Sequence, residues 1–430
     1  MNRYQQYFAV FILMVASMTL HQVVLAAPLE LSLEDSISLA LKNNHDIQYA
    51  KSAREKSYWA LQQAKNNKGV SVTYTHNDER YNTPPSSYSP NYSYTTEFDN
   101  QVALTLPVYS GKKLENQIAQ AKIDLDVADL DVDVAKQQLK MNVISDYLTV
   151  MEYDKEVQVD QETVANYEDH LNLVQKKFDL GLVAKTDILS SQVNLASAQD
   201  TLIKAQNNYN NAVATLNNAI GMPHGTELKL NEKFGYKKYD LTLEQCIQYA
   251  AIHRPEIAQY DAKIKSAQYD VKIAKSGYSP TVNLTAEEDW YNDHLPGMKN
   301  NNWLVKLTTS LNVFDSGLTD TKVRQAEHNV NMVTDKAATE RDSILLAVRQ
   351  YYLSMKEAEK RIETNKVSVN QAQENLTIEQ AKYDVGMGTN LDLLDDVLSL
   401  NTAKKNYVQA FYDYNTNQAE LEQAMGMPVK

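Results

Sequence analysis

Between Gly111 and Gly181, and again between Gly317 and Gly386, the chain contains neither glycine nor proline. A run this long without a breaker is most simply one continuous helix. At about 1.5 Å per residue, each helix would be roughly 100 Å long. No globular domain needs a helix of that length, so the chain must be elongated. The two runs also lead into near-copies of each other, residues 177–223 and 382–428. Asp392 minus Asp187 is 205, and Gly426 minus Gly221 is 205 as well. Asp179, Gly181, Asp187, Leu195, Tyr209 and the closing Gly221-Met222-Pro223 all recur at that offset. A chain made of two similar halves predicts a pseudo-symmetric body.

The duplication extends upstream. Residues 31–47 (LSLEDSISLALKNNHDI) match residues 241–257 (LTLEQCIQYAAIHRPEI), here at an offset of 210. The first half therefore holds extra residues, and Pro84-Pro85-Ser86-Ser87-Tyr88-Ser89-Pro90 is the place that reads as an insertion. Each half reads as helix, two strands, very long helix, tight turn, helix. The domain division expected is a signal peptide over 1–26, a first repeat over 27–223, an equatorial linker over 224–240 and a second repeat over 241–430. Arg3, the apolar run beginning at Phe8 and Val24-Leu25-Ala26 carry the signal-peptide expectation. With 55 acidic against 42 basic residues the net charge is −13, which makes nucleic acid a poor partner. One cysteine, Cys246, excludes an internal disulfide.

Short segments with period-two alternation lie over about 70–108 and 281–314. Val70, Val72 and Tyr74 begin one strand and Val102, Leu104, Leu106 and Val108 lie on another. Val282, Leu284 and Ala286 mark a third; Trp303, Val305, Leu307, Leu311 and Val313 mark a fourth. Strands of about 10–12 residues are long enough to cross a bilayer when tilted. The connections 81–94 and 291–302 are polar and rich in Pro, Asn and Tyr. Four strands cannot close a barrel, and lipid does not tolerate an open edge. A membrane role thus requires association, and three chains would supply twelve strands.

Ile118, Ala121, Leu125, Ala128, Val132, Ala135 and Leu139 step by three and four, as do Val323, Ala326, Val330, Val333 and Ala337. This is a coiled-coil seam. Asp124, Asp126, Asp129, Asp131 and Asp133 lie off it and read as a solvated face. No catalytic, cofactor-binding or metal-ligating constellation stands out, so no enzymatic role is expected. The two turns carry more information. Gly181 and Gly386 end long helices, and Thr186 or Asp187 in one copy is expected to cap the next helix. Leu182 and Met387 would be apolar residues at an exposed tip, as for docking to another protein. Asp392 and Asp395 are three apart and share a helix face, whereas the first copy has Asp187 but Ser190.

Taken together these features resemble the TolC family of outer-membrane efflux and secretion channels. Gly181-Leu182-Val183-Ala184-Lys185-Thr186-Asp187-Ile188 follows that family's first turn, and Leu391-Asp392-Leu393-Leu394-Asp395 looks like its segment of pore-constricting aspartates. The resemblance implies a mainly α fold with a membrane β part: a homotrimeric twelve-stranded β-barrel in outer-membrane lipid, continuous with a long-helix α-barrel in the periplasm. It implies a passive exit duct of a tripartite efflux or type I secretion system. A periplasmic adaptor and an inner-membrane transporter would be its partners. On that likeness Asp392 and Asp395 line the entrance, Tyr383 links to Asp187 beside Thr186 to hold it shut, and adaptor hairpins dock at Gly181, Leu182, Gly386 and Met387. Family members that lock the entrance with arginine carry it where this chain has Gly388. A periplasmic coiled-coil adaptor without a pore is the rival expectation.

Overall fold

The structure is a computed structural model that describes residues 29–85, 87–88, 91–231, 236–296 and 298–427. The expected signal peptide lies outside these residues. Among them the chain forms, in order, β1 (Leu29–Leu31), α1 (Leu33–Asn43), α2 (His45–Asn66), β2 (Ser71–Thr83), β3 (Ser93–Tyr109), α3 (Lys113–Asp179), α4 (Lys185–Ala219) and β4 (Leu228–Leu230). The second half continues with α5 (Leu243–His253), α6 (Pro255–Lys275), β5 (Thr281–Asn292), β6 (Asn300–Ser310), α7 (Leu318–Asp384) and α8 (Asn390–Ala424).

The breaker-free runs are single helices: α3 and α7 each span 67 residues. The helix that opens each half is broken, which the sequence pattern did not separate. In the second half Arg254 takes an extended backbone because Pro255 follows it and starts α6. At the matching break of the first half no proline is present. Asn44 makes the break with its side chain, which accepts from Asp46 N at 2.8 Å and donates to Ala219 O at 3.2 Å. The closing glycine of each copy packs into that break. A Cβ on Gly221 would lie 2.7 Å from Asn43 Cβ, and one on Gly426 would lie 2.9 Å from His253 O. Both glycines also have positive φ, so recurrence of the Gly-Met sequence follows from backbone geometry and close approach together.

Helices stand side by side in one layer. α3 packs against α2 and α6 along its first half and against α4 and α8 along its second; α7 packs against α6 and then α8. Two apolar cores occupy repeat-equivalent places. Leu139, Val143, Leu216 and Ile220 form one with Ile37, Ala40 and Tyr147. Ile344, Val348, Leu421 and Met425 form the other with Cys246 and Ala250. Between 224 and 240, where a linker was expected, β4 pairs in parallel with β1. Tyr147 Oη donates to Leu31 O at 3.1 Å and ties this small sheet to α3.

The acids of α3 are not simply solvated. Ser266 Oγ donates to Asp124 at 2.7 Å, Gln259 of α6 donates to Asp131, and Arg54 of α2 pairs with Asp129 at 2.8 Å. Three of the five thus bridge to neighbouring helices, because α3 is flanked on both sides at this level.

At the far end β2, β3, β5 and β6 form one antiparallel sheet in that order. The β3–β5 pairing joins the two halves. β3 has 17 residues, more than expected, since pairing with β2 runs on to Thr83–Ser93 and stops only at Pro84 and Pro85. β6 ends at Ser310, so Leu311 and Val313 lie beyond it and are exposed. The register aligns Val72, Leu104, Ala286 and Val305 in one row, with Leu284 and Leu307 in the next on the same face. A further row of that face holds Tyr74, Val102, Glu288 and Trp303. The opposite face carries Thr73, Thr75, Gln101, Thr105, Asn283, Glu287, Asp289, Lys306 and Thr308. β2 and β6 are the two edges, and neither has a partner strand among the described residues.

Candidate entrance at the helical turns

Both turns are built alike. α3 ends at Asp179; Gly181 has φ +71°, and Leu182 N donates back to Lys177 O at 2.9 Å. α7 ends at Asp384; Gly386 has φ +80°, and Met387 N donates to Lys382 O at 2.8 Å. This bond, from the residue after a left-handed glycine to the last turn, satisfies carbonyls that the helix end leaves unpaired. The glycine side is open, since a Cβ at either position would meet nothing within 4 Å. Leu182 is 69% exposed and Met387 81%, with Leu180 and Val385 above 70% beside them. The tips thus present apolar side chains to solvent.

Capping of the following helices differs from the expectation. α4 begins at Lys185 with Ala184 as its cap, so Thr186 is the second helical residue and Asp187 the third. Asp187 Oδ2 reaches back to accept from Ala184 N at 3.1 Å. Neither Thr186 nor Asp187 is the cap itself; Thr186 is exposed. α8 begins at Asn390 with Thr389 as cap. Thr389 Oγ1 accepts from Asp392 N at 3.1 Å and donates to Asp392 Oδ2 at 2.6 Å. Asp392 and Asp395 are both exposed, on the side of α8 away from its buried Leu393 and Leu394.

Tyr383 and Asp187 are neighbours without a hydrogen bond. Tyr383 is 3% exposed and packs with Val174, Ile188 and Leu393. Its hydroxyl is buried and has no partner among the described residues, while the Asp187 carboxylate turns to the Ala184 amide. Burial foremost, then the charges of Asp187 and Asp384, push the Tyr383 hydroxyl above its ordinary pKa. The Lys177 ammonium lies 4.0 Å from the Tyr383 ring centroid and also donates to Tyr383 O, so the end of α7 is tied to the end of α3 through Lys177. Cβ on Gly388 would come within 3.0 Å of Tyr383 N, so a long side chain there would crowd α7.

One group of residues escaped the sequence reading. His170 of α3 (3% exposed) bonds through Nε2 to Asn390 Oδ1 of α8 at 2.6 Å. Ser191 Oγ of α4 approaches the same oxygen at 3.3 Å. Deeper along the hairpins, Asp160 is 2% exposed and meets Lys405 at 2.8 Å. Asn401 donates to Thr163 at 2.6 Å at the same level. These polar pairs lock α3 to α8. The only hint in the sequence was a histidine at the spacing of Tyr167 and Val174, on the inward stripe of α3.

The pattern of the family described as outer membrane efflux protein matches residues 36–222 and 246–427. The outer membrane protein TolC of Salmonella enteritidis is 21% identical over 342 residues, which span 77% of this chain and 70% of that one. TolC of Vibrio cholerae serotype O1 is 23% identical over 308 residues, 70% of each chain. The structure of the Campylobacter jejuni CmeC outer membrane channel superposes with a TM-score of 0.82 at 18% identity, over 92% of this chain and 85% of that one. That of the open state of the Neisseria gonorrhoeae MtrE outer membrane channel superposes with a TM-score of 0.78 at 17% identity, over 92% and 88%.

Proposed function

The chain belongs to the outer membrane efflux protein family, and from that premise we propose that three copies form an exit duct that passes substrates outward without chemistry of its own. The protein sits in the outer membrane with its helical part in the periplasm. One observation carries the trimer: an antiparallel sheet with one mostly apolar face and two edges, β2 and β6, unpaired among the described residues, at the end of helices of about 100 Å. Lipid demands that every strand edge be paired. Edge-to-edge joining of β6 to β2 of the next copy satisfies that demand, and three sheets of four strands give a barrel wide enough for a channel. Val72, Leu104, Ala286, Val305 and Leu307 then face lipid. Glu287, Asp289, Thr75 and Thr308 line the lumen.

The helical layer repeats the same logic. Its outer members present unmatched apolar residues, Val193 and Ile203 on α4 and Leu353 and Val367 on α7. A neighbouring copy covers them. At the tips, Leu182 and Met387 beside Gly181 and Gly386 offer the docking surface for a periplasmic adaptor, which connects the duct to an inner-membrane transporter that supplies energy. Asp392 and Asp395 of three copies converge as two acid rings at the entrance and favour cations. The adaptor reading without a pore gains no support: an adaptor has no use for this sheet.

Multi-angle light scattering of the detergent-solubilised protein, followed by planar-bilayer recording, tests the reading. A particle with three times the mass of the processed chain, showing unitary conductance, is expected. A monodisperse monomer without conductance overturns it.

A further inference from the structure

His170, Ser191, Asp187, Asn390 and Tyr383 come from α3, α4, α8 and α7, so one buried knot joins both hairpins just inside the turns. Its hydrogen bonds fix the tautomer of its histidine. Asn390 Nδ2 donates to Asp187 O at 3.4 Å, and that carbonyl also accepts from Ser191 Oγ at 2.8 Å. With its amide nitrogen so placed, Asn390 presents Oδ1 to His170, and His170 Nε2 must be the donor across 2.6 Å. The neutral imidazole is therefore the Nε2–H tautomer. Its Nδ1 is a bare lone pair, buried and without a partner among the described residues. The nearest ring is Tyr383, 5.1 Å away between centroids, and the Tyr383 hydroxyl is also buried without a partner.

We propose that the His170–Asn390 pair is a proton-sensitive clasp that pins the α7–α8 hairpin to the α3–α4 hairpin, and that a proton on His170 Nδ1 releases it and widens the entrance. The inference rests on the exit-duct reading for its consequence, though the clasp itself does not need a pore. A second ring proton would sit in a dry site with no acceptor placed for it. The charged groups around the site give no help to a cation. On α3, Lys177 repels it. On α4, the Asp187 carboxylate is turned to the Ala184 amide. On α7, Tyr383 is neutral, and Asp384 lies at the exposed end of the helix. On α8, Asp395 acts on Tyr167, one turn before His170. Burial first, and then Lys177, hold the His170 pKa below its ordinary value, against the opposing effect of the Asn390 bond.

The sign follows from these facts. Released into water, His170 regains its ordinary pKa of about 6.5. Above that pH both states are neutral there and the clasp holds. As pH falls below about 6.5 the released state takes up the proton first, so release grows until the clasped pKa is reached. Each unit between the two pKa values shifts the balance about tenfold per chain.

The test uses the full chain, with Cys246 replaced by Ala and nitroxide labels on cysteines at Leu180 and Val385, one beside each turn. Pulsed dipolar spectroscopy at pH 7.5 and 5.5 reads the spacing of the turns, and bilayer recording reads open probability under the same conditions. The expected result is a spacing distribution that broadens and lengthens at pH 5.5, with open probability rising at least several-fold. His170→Gln keeps an amide donor for Asn390 but cannot take a proton, and it should hold the short spacing at both pH values. Asn390→Ala removes the acceptor and should show the long spacing at both. A wild-type spacing that ignores pH, or a His170→Gln protein that responds as the wild type does, overturns the clasp. Should spacing respond while no pore conducts, the clasp stands and the exit-duct reading fails.

Discussion

The two helical hairpins have the same dimensions, 67 and 35 residues in each half, yet they live in different surroundings. α8 lies between α7 and α3, whereas α4 flanks α3 and barely touches α8. Equivalent residues therefore meet different fates. Leu394 is 3% exposed and Leu189, its mate at the offset of 205, is 51% exposed. Duplication fixes which elements form and how long they are. Position in the layer decides which of their apolar residues remain exposed. Four experiments bear on this difference, and each sets a residue against its repeat mate or against the other turn.

The largest expected effect is at the tips. Replacing Gly386 by Arg, or Gly181 by Arg, costs about 1–2 kcal/mol of left-handed strain, and the space beside both residues is empty. Each variant should fold and assemble yet lose export almost completely, measured as drug susceptibility of cells producing normal amounts of trimer. If one turn alone is sensitive, the two hairpins are not equivalent docking sites. Normal export in both variants removes the docking role.

The acidic pair that follows the second turn comes next. Asp187 and Asp392 hold the same third position in their helices, but only the second half adds an acid one turn on, Asp395 in place of Ser190. Changing Asp392 and Asp395 together to Ala should lower the cation-to-anion permeability ratio several-fold in bilayer recordings. Ser190→Ala should leave it unchanged. Retained selectivity in the double variant would reduce Asp392 to its bonds with Thr389.

A smaller effect separates Glu152 from its mate Glu357. Burial, then the charges of Glu156 and Asp413, push the Glu152 carboxyl up to about 7. Glu357 is exposed near Arg361. A carboxyl raised in the folded state stabilises fully below its unfolded pKa of about 4.3, and the contribution is lost as pH rises through 7. Glu152→Gln should therefore raise the melting temperature at pH 8 by a few degrees, for about 1–2 kcal/mol per chain after solvent screening. It should do little at pH 4.5. Glu357→Gln should do little at either pH. Equal shifts for the two variants would mean that α3 and α7 are alike at this level.

What was legible in the sequence follows the range of the interactions involved. The hairpins could be read because glycine and proline act locally, and a run without them has few alternatives to helix. The pleated strands were legible as alternation, but their ends were not, since pairing across β2 and β3 carried both strands past the polar residues that suggested a loop. The break at Asn44 had no proline to announce it. The acids of α3 read as solvated because their partners Arg54, Gln259 and Ser266 are remote in sequence. His170 and Asn390 are 220 residues apart, and a buried polar pair of that separation leaves no periodic trace. The tips and acid positions, in contrast, lie on short motifs that the resemblance picked out directly.

The smallest effect concerns Tyr383, whose repeat mate is Phe178. The first half manages its turn with a ring that has no hydroxyl. The second half buries a hydroxyl without a partner, which costs about 1–3 kcal/mol unless something meets it. If the hydroxyl stays unpartnered on assembly, Tyr383→Phe should be neutral or slightly stabilising, should leave Lys177 seated over the ring, and should not change single-channel conductance at neutral pH. A bond from Tyr383 to Asp187 that forms only when three copies close the entrance predicts the reverse, with longer open times and leakage of large antibiotics into cells. Recording Tyr383→Phe beside Phe178→Tyr in one bilayer series decides between them. Equal, wild-type conductance in both variants means that the hydroxyl has no part in closure and that the second turn, like the first, is held by packing and by its backbone.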